Sequence, residues 1–256
     1  MCLVINGPKG TRRCTDRLVP GGPFFEVNME TIVVAGNGPS AQALGVEMRR
    51  SSICVMRVNY FFLPDHDALD YACTDWFICQ HDRGDLRNVI AYTRHMPDKP
   101  TIWIPGIETR GSLPIEEIRK QLPGFTVRVQ REFGRLPAAC RWERDLAPQR
   151  PLMGSYALAV AVGMQPDRIV ACGMDLFAGT EGGSFQGGTT SDTRGEWQNQ
   201  FAVEYRENRH RNHTLRGDIK YIGAALDAYK GELICYGAEM KRLFAERYKE
   251  REWRFI

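Results

Sequence analysis

A short polar turn follows the first strongly apolar segment of the chain. Residues 32–40 read IVVAGNGPS, so a β-branched run breaks into glycine, asparagine and serine. Gly36 and Gly38 allow a close approach between the backbone and a ligand, and the amide of Asn37 offers a donor and an acceptor. Ser40 can cap a following helix, whose first N–H groups attract anions. The pattern predicts a strand, a turn and a helix that bind the phosphate or ribose of a nucleotide.

The same turn leaves other interpretations open. It matches the loose Gly-x-Gly-x-x-Gly/Ala pattern of dinucleotide-binding folds, which would make the protein an NAD(P)-dependent oxidoreductase. In that fold the second strand ends in an acidic residue that binds the ribose, whereas here it ends in Asn59. The missing acid weakens the oxidoreductase interpretation. A tight turn that binds no ligand is the remaining alternative.

Composition narrows the class of protein. The 256 residues carry a formal net charge of +3, which gives no reason to expect nucleic acid as a partner, and 43% of them are hydrophobic. No stretch approaches the roughly 18 apolar residues of a membrane span. Cys54, Cys172 and Cys235 lie in apolar, strand-like runs. They predict reduced core thiols and a cytoplasmic location.

Strand and helix patterns alternate along the chain, which predicts an α/β fold with a mainly parallel sheet. We expect a single Rossmann-like nucleotide-binding domain with ligands at the carboxyl ends of its strands. Strands are predicted at 31–36, 53–59, 75–80, 101–106, 126–130, 168–177 and 232–237, and helices at 40–49, 85–96, 113–122, 154–163, 214–229 and 238–254.

Other segments depart from this alternation. Residues 1–28 have no period and predict a poorly ordered extension before a domain of residues 29–256. A glycine-rich, polar segment predicts a flexible lid over about 178–212. The helix predicted at 238–254 is basic and aromatic, so it either packs on the domain or docks on anionic lipid, which would place the protein peripherally at the inner membrane face.

Two further positions have side chains suited to chemistry. Asp175 lies near the end of the predicted strand at 168–177, where a carboxylate can accept hydrogen bonds from ribose hydroxyls or a base amine, although aspartate is also a common turn residue. His213 precedes a predicted helix, and a neutral imidazole can take a proton from an attacking hydroxyl. Asp65-His66-Asp67 offers two carboxylates for a divalent ion, but the preceding proline favours a solvated turn.

Four segments in this order resemble the bacterial sialyltransferases that use CMP-activated sialic acid, over about residues 29–237. The segments are VVAGNGPS (33–40), VMRVNYFF (55–62), QRPLMGSYALAVAVG with RIVACGMDLF (149–177), and His213 with TLRGDIK (213–220). The resemblance implies a GT-A-like variant of the Rossmann-like fold. It also implies inverting transfer of sialic acid to a glycan hydroxyl, as in lipopolysaccharide biosynthesis. The acceptor expected is a bacterial surface oligosaccharide, with lipid-linked glycans included, and homo-oligomers are common in the family.

The resemblance also implies roles for individual residues. His213 is the general base, and Arg150 matches an arginine of the active-site segment. Family members use no metal and stabilise the departing CMP with tyrosine hydroxyls, but this chain has Phe177 at the first of those positions and Phe185 nearest the second. Arg150 is the best substitute for them. The residues implied to contact the CMP-sugar are Asn37, Gly38, Ser40, Asn59, Gly173 and Asp175.

The two phenylalanines keep further functions open. A transferase for another CMP-activated nonulosonic acid is compatible with them. So is a nucleotide-binding module without catalysis, if Phe177 and Phe185 leave no competent phosphate site.

Overall fold

A computed structural model provides the coordinates of the protein. The extension at 1–28, Asp65–Asp67 and Phe185 lie outside the residues that it describes, as do most of the predicted helices at 40–49 and 85–96. The described residues are 31–38, 40–41, 53–59, 73–78, 91, 99–106, 113–141, 150–178 and 193–256.

The core of the fold is one parallel sheet of eight strands in the order β5-β4-β3-β2-β1-β6-β7-β8. Every pair of neighbouring strands is parallel. The predicted α/β class with a mainly parallel sheet is therefore confirmed. The strands are β1 (Thr31–Ala35), β2 (Ile53–Val58), β3 (Asp75–Phe77), β4 (Thr101–Ile104), β5 (Val127–Val129), β6 (Arg168–Cys172), β7 (Glu232–Cys235) and β8 (Arg254–Phe255).

The strand order reverses at β1, which lies between β2 and β6. Ala35, the last residue of β1, is in register with Cys172, the last residue of β6. Such a switch point opens a crevice at the carboxyl edge of the sheet. The turns after β1 and β6 therefore meet at one place, although they are far apart in sequence.

Five α-helices have bounds within the described residues. α2 is buried along nearly its whole length, and a Cβ at its Gly163 would lie 2.7 Å from the carbonyl oxygen of Arg135. The absence of a side chain at Gly163 thus allows the backbone of Arg135 to approach α2 closely. The helices are α1 (Ile115–Gln121), α2 (Met153–Met164), α3 (Thr193–Arg206), α4 (Leu215–Asp227) and α5 (Ala238–Phe244).

Helix α4 begins as its sequence predicts. The side chain of Thr214 accepts a hydrogen bond from the backbone N–H of Gly217 at 3.1 Å, which satisfies a donor of the first turn. Ile222 and Leu226 are fully buried on one face of the helix, and Tyr229, just beyond its end, is buried as well. The cap also fixes the start of the helix directly after His213.

Two expectations are corrected. The helix predicted at 238–254 is wrong in length, because α5 ends at Phe244 and the chain then turns to form the edge strand β8. Cys172 and Cys235 are free, as expected, but Cys54 is disulfide-bonded. The segment predicted as a lid contains the helix α3, whose Tyr205 is fully buried.

The aromatic residues near the carboxyl terminus pack inward. Tyr248 is buried and donates a hydrogen bond to the carbonyl of Gly223 at 3.0 Å, while the indole of Trp253 donates to the carbonyl of Gly231 at 2.9 Å. The lipid-docking interpretation depended on one continuous basic and aromatic helix, which the structure replaces. No helix in the described part of the chain has the length and apolar character that a membrane crossing needs.

Candidate functional site

A cleft of about 690 Å³ opens at the carboxyl ends of β1, β2 and β6. Its other wall is the amino terminus of α2, including Gly154 and Ser155. Phe177, in the turn after β6, also lines it. Of the residues predicted to contact the nucleotide, five line this cleft, namely Asn37, Gly38, Asn59, Gly173 and Asp175.

The glycines of the first turn serve to bring two turns together. The N–H of Gly36 donates to the carbonyl of Cys172 at 2.9 Å, and the N–H of Gly38 donates to the carbonyl of Gly173 at 2.9 Å. A Cβ at Gly38 would lie 2.2 Å from Oδ2 of Asp175. The space around Gly38 is thus needed for another part of the chain, whereas the sequence had assigned it to a ligand.

Ser40 and Asp175 form a hydrogen-bonded link between these turns. Oδ2 of Asp175 accepts from the backbone N–H of Ser40 at 3.0 Å and from its hydroxyl at 2.9 Å. The same hydroxyl accepts from the N–H of Gly173 at 2.8 Å. Asp175 therefore links the turns after β1 and β6 through its side chain, and it also lines the cleft. Ser40 lies behind the cleft wall and shapes it through Asp175.

The side-chain amide of Asn37 is the polar group best placed to bind a ligand in the cleft. Its side chain is 7% exposed, and its amide nitrogen donates to the carbonyl of Val58 at 3.1 Å. Its amide oxygen is buried and has no hydrogen-bond partner among the described residues. An unsatisfied buried acceptor costs about 1–3 kcal/mol. A ligand hydroxyl or amine in the cleft would remove that cost.

Asn59 closes the end of β2. Its backbone N–H donates to the carbonyl of Phe77 at 2.8 Å, and its carbonyl accepts from the indole of Trp76 at 2.7 Å. Its φ of 48° lies in the left-handed region, which asparagine tolerates better than most residues. The position is thus fixed at the cleft rather than exposed in a loop.

His213 is held by a backbone carbonyl. Its Nδ1 lies 2.8 Å from the carbonyl oxygen of Arg150, and a carbonyl only accepts hydrogen bonds. Nδ1 therefore carries the proton, and the lone pair is on Nε2. The imidazole is stacked on that of His210 at 5.6 Å and meets the ring of Phe201 edge-on at 5.9 Å. This is the tautomer that a general base acting through Nε2 requires.

Arg150 has a main-chain role that its sequence did not reveal. Its N–H donates to the carbonyl of Asn212 at 2.6 Å, and its own carbonyl orients His213. Neither Arg150 nor His213 is among the residues that line the cleft, although Leu152 and its successors in α2 do line it. The segment that starts at Arg150 thus connects the predicted base to the cleft wall.

The turn after β6 is strained and apolar. Leu176 and Phe177 both have positive φ values, 49° and 57°, which non-glycine residues rarely adopt. The ring of Phe177 packs 5.2 Å from those of Phe201 and Tyr205. No hydroxyl is present at position 177 to bind a phosphate.

Arg206 supports this turn from outside. It donates to the carbonyl of Leu176 at 3.3 Å and pairs with the buried carboxylate of Glu239 at 3.1 Å. The hydrogen bond from Arg242 is the main reason why the pKa of Glu239 is lowered. The carboxylate of Glu239 therefore joins α3 and the strained turn to α5. Nothing in its sequence context distinguishes Arg206 from the neighbouring arginines.

The sequence missed a buried acid beside the site. Asp218 is fully buried in the first turn of α4 and accepts hydrogen bonds from Ser155 and, at 3.0 Å each, from the N–H of Leu152 and the hydroxyl of Tyr205. Burial raises the pKa of its carboxyl to about 6, although these hydrogen bonds act in the opposite direction. The only sequence signal was a charged residue on a face that otherwise packs inward.

Known structures with this architecture were found by comparison. No protein-family profile and no curated protein matches the chain. The sialyltransferase CstII from Campylobacter jejuni in complex with cytidine-5'-monophosphate superposes with a TM-score of 0.57 at 21% identity, covering 82% of this chain and 80% of that one. The chain shares the fold of the Campylobacter sialyltransferases.

Two further structures agree with this result. CstII in complex with the substrate analogue CMP-3FNeuAc has a TM-score of 0.56 at 20% identity, with 86% of this chain and 85% of that one covered. The apo α-2,3-sialyltransferase from C. jejuni has a TM-score of 0.55 at 18% identity, with 88% and 79% covered. The fold implied by the sequence resemblance is therefore confirmed over most of the chain.

Proposed function

We propose that the chain transfers sialic acid from a CMP-activated donor to a hydroxyl group of an acceptor glycan, with inversion at the anomeric carbon. The observation that carries the proposal is the buried amide oxygen of Asn37, which has no hydrogen-bond partner among the described residues and belongs to a residue that lines the cleft at the β1/β6 switch point. Structures with this fold include complexes with cytidine-5'-monophosphate and with CMP-3FNeuAc. A cytidine or ribose donor group would satisfy that oxygen.

The remaining binding roles follow from the geometry. Asn37, Gly38, Asn59, Gly173 and Asp175 would surround the nucleotide, with Ser40 holding Asp175 in place. The amino terminus of α2 has no side-chain cap of its own and faces the cleft. Its N–H groups would favour the departing phosphate, which receives no hydroxyl from Phe177. We propose that the guanidinium of Arg150 stabilises the negative charge of the same phosphate.

The chemical step uses the lone pair of His213. The acceptor hydroxyl oxygen forms a bond to the anomeric carbon while the bond from that carbon to the phosphate oxygen breaks. The hydroxyl proton passes to Nε2 of His213, whose Nδ1 is fixed on the carbonyl of Arg150. CMP leaves with the electron pair of the broken bond. We propose that this transfer requires no metal ion. We also propose that the acceptor hydroxyl belongs to a bacterial surface oligosaccharide.

The alternatives follow from Phe177. The alternative most similar to the proposal is a transferase for another CMP-activated nonulosonic acid, because Phe177 has no hydroxyl to donate to a phosphate or a carboxylate. A module that binds CMP without turnover is the alternative outside the enzymes. An oxidoreductase would bind a nicotinamide cofactor.

Release of CMP from CMP-sialic acid by the purified protein tests the proposal. It is measured with and without a galactose-terminated acceptor, and with a metal chelator. We expect acceptor-stimulated release that the chelator does not change. Other CMP-nonulosonates are run in parallel, and NAD and CDP are compared by thermal shift. CDP binding without release from any donor would support the binding module, whereas stabilisation by NAD alone would refute the CMP assignment.

A further inference from the structure

The buried acid Asp218 lies at the junction of three helices. It belongs to α4, and it accepts hydrogen bonds from the hydroxyl of Ser155 on α2, the N–H of Leu152 before α2, and the hydroxyl of Tyr205 on α3. All three partners donate, so an ionised carboxylate satisfies every contact. Asp218 itself is 0% exposed and does not line the cleft.

These contacts belong to a series of hydrogen bonds that extends from Asp218 to His213. The N–H of Arg150 donates to the carbonyl of Asn212, the carbonyl of Arg150 accepts from Nδ1 of His213, and the N–H of Leu152 donates to Asp218 at 3.0 Å. The segment 150–152 is thus fastened to residues 212–218 at both of its ends. Asp218 provides the end next to the cleft, since Leu152 and Ser155 line the cleft.

A second connection runs through an aromatic wall, which consists of the rings of Tyr205, Phe201, His210 and His213. Tyr205 donates to Asp218, and its ring is stacked on that of Phe201 at 6.1 Å. Phe201 in turn meets the rings of His210 and His213. Asp218 therefore limits the position of His213 from two sides, through the backbone of Arg150 and through α3.

We propose that Asp218 is a positioning residue of the transferase, which holds the carbonyl of Arg150 and the aromatic wall so that His213 keeps its proton on Nδ1 and its lone pair on Nε2. As a statement about catalysis, this inference rests on the proposed function. As a statement about the imidazole of His213, it is testable without turnover. A misplacement of a reacting group by about 1 Å can cost about 10²-fold in rate.

The first test substitutes Asp218→Asn, which keeps the size of the side chain and removes the charge. We expect kcat to fall by about 10²-fold while the KM for the donor changes by less than about threefold, because Asp218 does not touch the cleft. In a His213→Ala background the same substitution should cost little, since its effect passes through the imidazole. Equal losses in both backgrounds would overturn the proposal.

The second readout is the ¹⁵N spectrum of the imidazoles after selective histidine labelling. The chain has five histidines, and the signals of His213 are assigned with a His213→Gln variant. We expect an Nδ1–H tautomer in the native protein and its loss, or a mixture of tautomers, in Asp218→Asn. An unchanged His213 spectrum would overturn the proposal even if activity falls.

Matched controls come from the other end of α4. Tyr248 donates to Asp227 at 2.8 Å, as Tyr205 does to Asp218, but this pair is remote from the cleft lining. Tyr248→Phe should leave the His213 signals and kcat unchanged, whereas Tyr205→Phe should alter both. If Asp218→Asn fails to fold, the comparison of Tyr205→Phe with Tyr248→Phe decides the question.

CMP release and the ¹⁵N spectrum of His213 distinguish a failure of the proposed function from a failure of the proposed role of Asp218. A native protein that releases no CMP refutes the proposed function, while the tautomer of His213 in the variants still decides the role of Asp218. Turnover by the native protein with an unchanged His213 spectrum in Asp218→Asn and Tyr205→Phe refutes the positioning role alone.

Discussion

Nδ1 of His213 lies 2.8 Å from the carbonyl oxygen of Arg150, two residues separated by 63 positions in the chain. The contact assigns the proton to Nδ1 and leaves Nε2 as the basic atom. It also gives Arg150 a role through its main chain.

Arg150→Ala and His213→Ala should lower kcat by different factors, with the larger loss for His213→Ala. The alanine at 150 keeps the carbonyl that orients the imidazole, so His213 retains its tautomer and only the guanidinium is lost. General-base catalysis contributes about 10²- to 10⁴-fold, so His213→Ala should lower kcat by that factor. Steady-state kinetics with CMP-sialic acid measures both. A larger loss in kcat from Arg150→Ala would mean that its side chain carries more of the chemistry than His213.

Asn37→Ala should weaken nucleotide binding more than it changes stability. The substitution removes an amide oxygen that has no partner in the described protein and one hydrogen bond to the carbonyl of Val58. One hydrogen bond contributes about 0.5–1.5 kcal/mol, which corresponds to roughly a 3- to 10-fold weaker affinity for CMP. Isothermal titration with CMP measures the change. Unaltered affinity would remove Asn37 from the nucleotide site.

Gly38→Ala should destabilise the fold. The added Cβ would lie 2.2 Å from Oδ2 of Asp175, so the link between the turns after β1 and β6 must shift. Overpacking of this kind typically costs about 1–3 kcal/mol, and urea unfolding would show it. Gly134→Ala is the matched control, because no described atom beyond its two chain neighbours lies within 4 Å of its added Cβ. Equal stability of the two variants would contradict the close approach of the turns.

The contribution of Asp218 to the free energy of unfolding should fall as pH rises from about 4 to about 6. Burial raises the pKa of Asp218 from 3.8 to about 6, so in this range the folded protein binds a proton that the unfolded chain has lost. The contribution is at most about 1.4 kcal/mol per pH unit. Among the described residues that interact with Asp218, Tyr205 and Tyr221 have pKa values raised far above neutrality by burial, so they do not titrate here.

Urea unfolding of Asp218→Asn across the same pH range checks this origin. The variant should lose that component of the slope, because the asparagine does not titrate. Asp227→Asn, with its half-exposed carboxyl on the same helix, is the control. A slope that persists in Asp218→Asn would assign the proton to another group.

The sequence predicted those parts of the fold that local pattern determines. β-branched runs specify β1, β2 and β6, and the Thr214 cap specifies the start of α4. Because parallel strands end at one edge, the turns at residues 36–38 and 173–175 could be assigned to one site before the structure was known.

The remaining parts depend on contacts between distant residues. The amino acids of α3 are mostly polar, so its sequence does not indicate that Tyr205 is buried. The burial is explained by the hydrogen bond that Tyr205 donates to Asp218. Asp218 lies 63 and 66 positions from Ser155 and Leu152, so the sequence could not show which residues cover it and donate to it. The strand β8 has two residues and exists only because β7 offers it an edge.

Acceptor-dependent release of CMP from CMP-sialic acid, compared between the native protein and His213→Ala, tests the central proposal most directly. We expect the native protein to release CMP faster when a galactose-terminated acceptor is present, and we expect His213→Ala to bind CMP with nearly native affinity but to release it about 10²- to 10⁴-fold more slowly. Native turnover that His213→Ala retains in full would contradict the role of the imidazole. Absence of CMP binding to the native protein would contradict the assignment of the cleft.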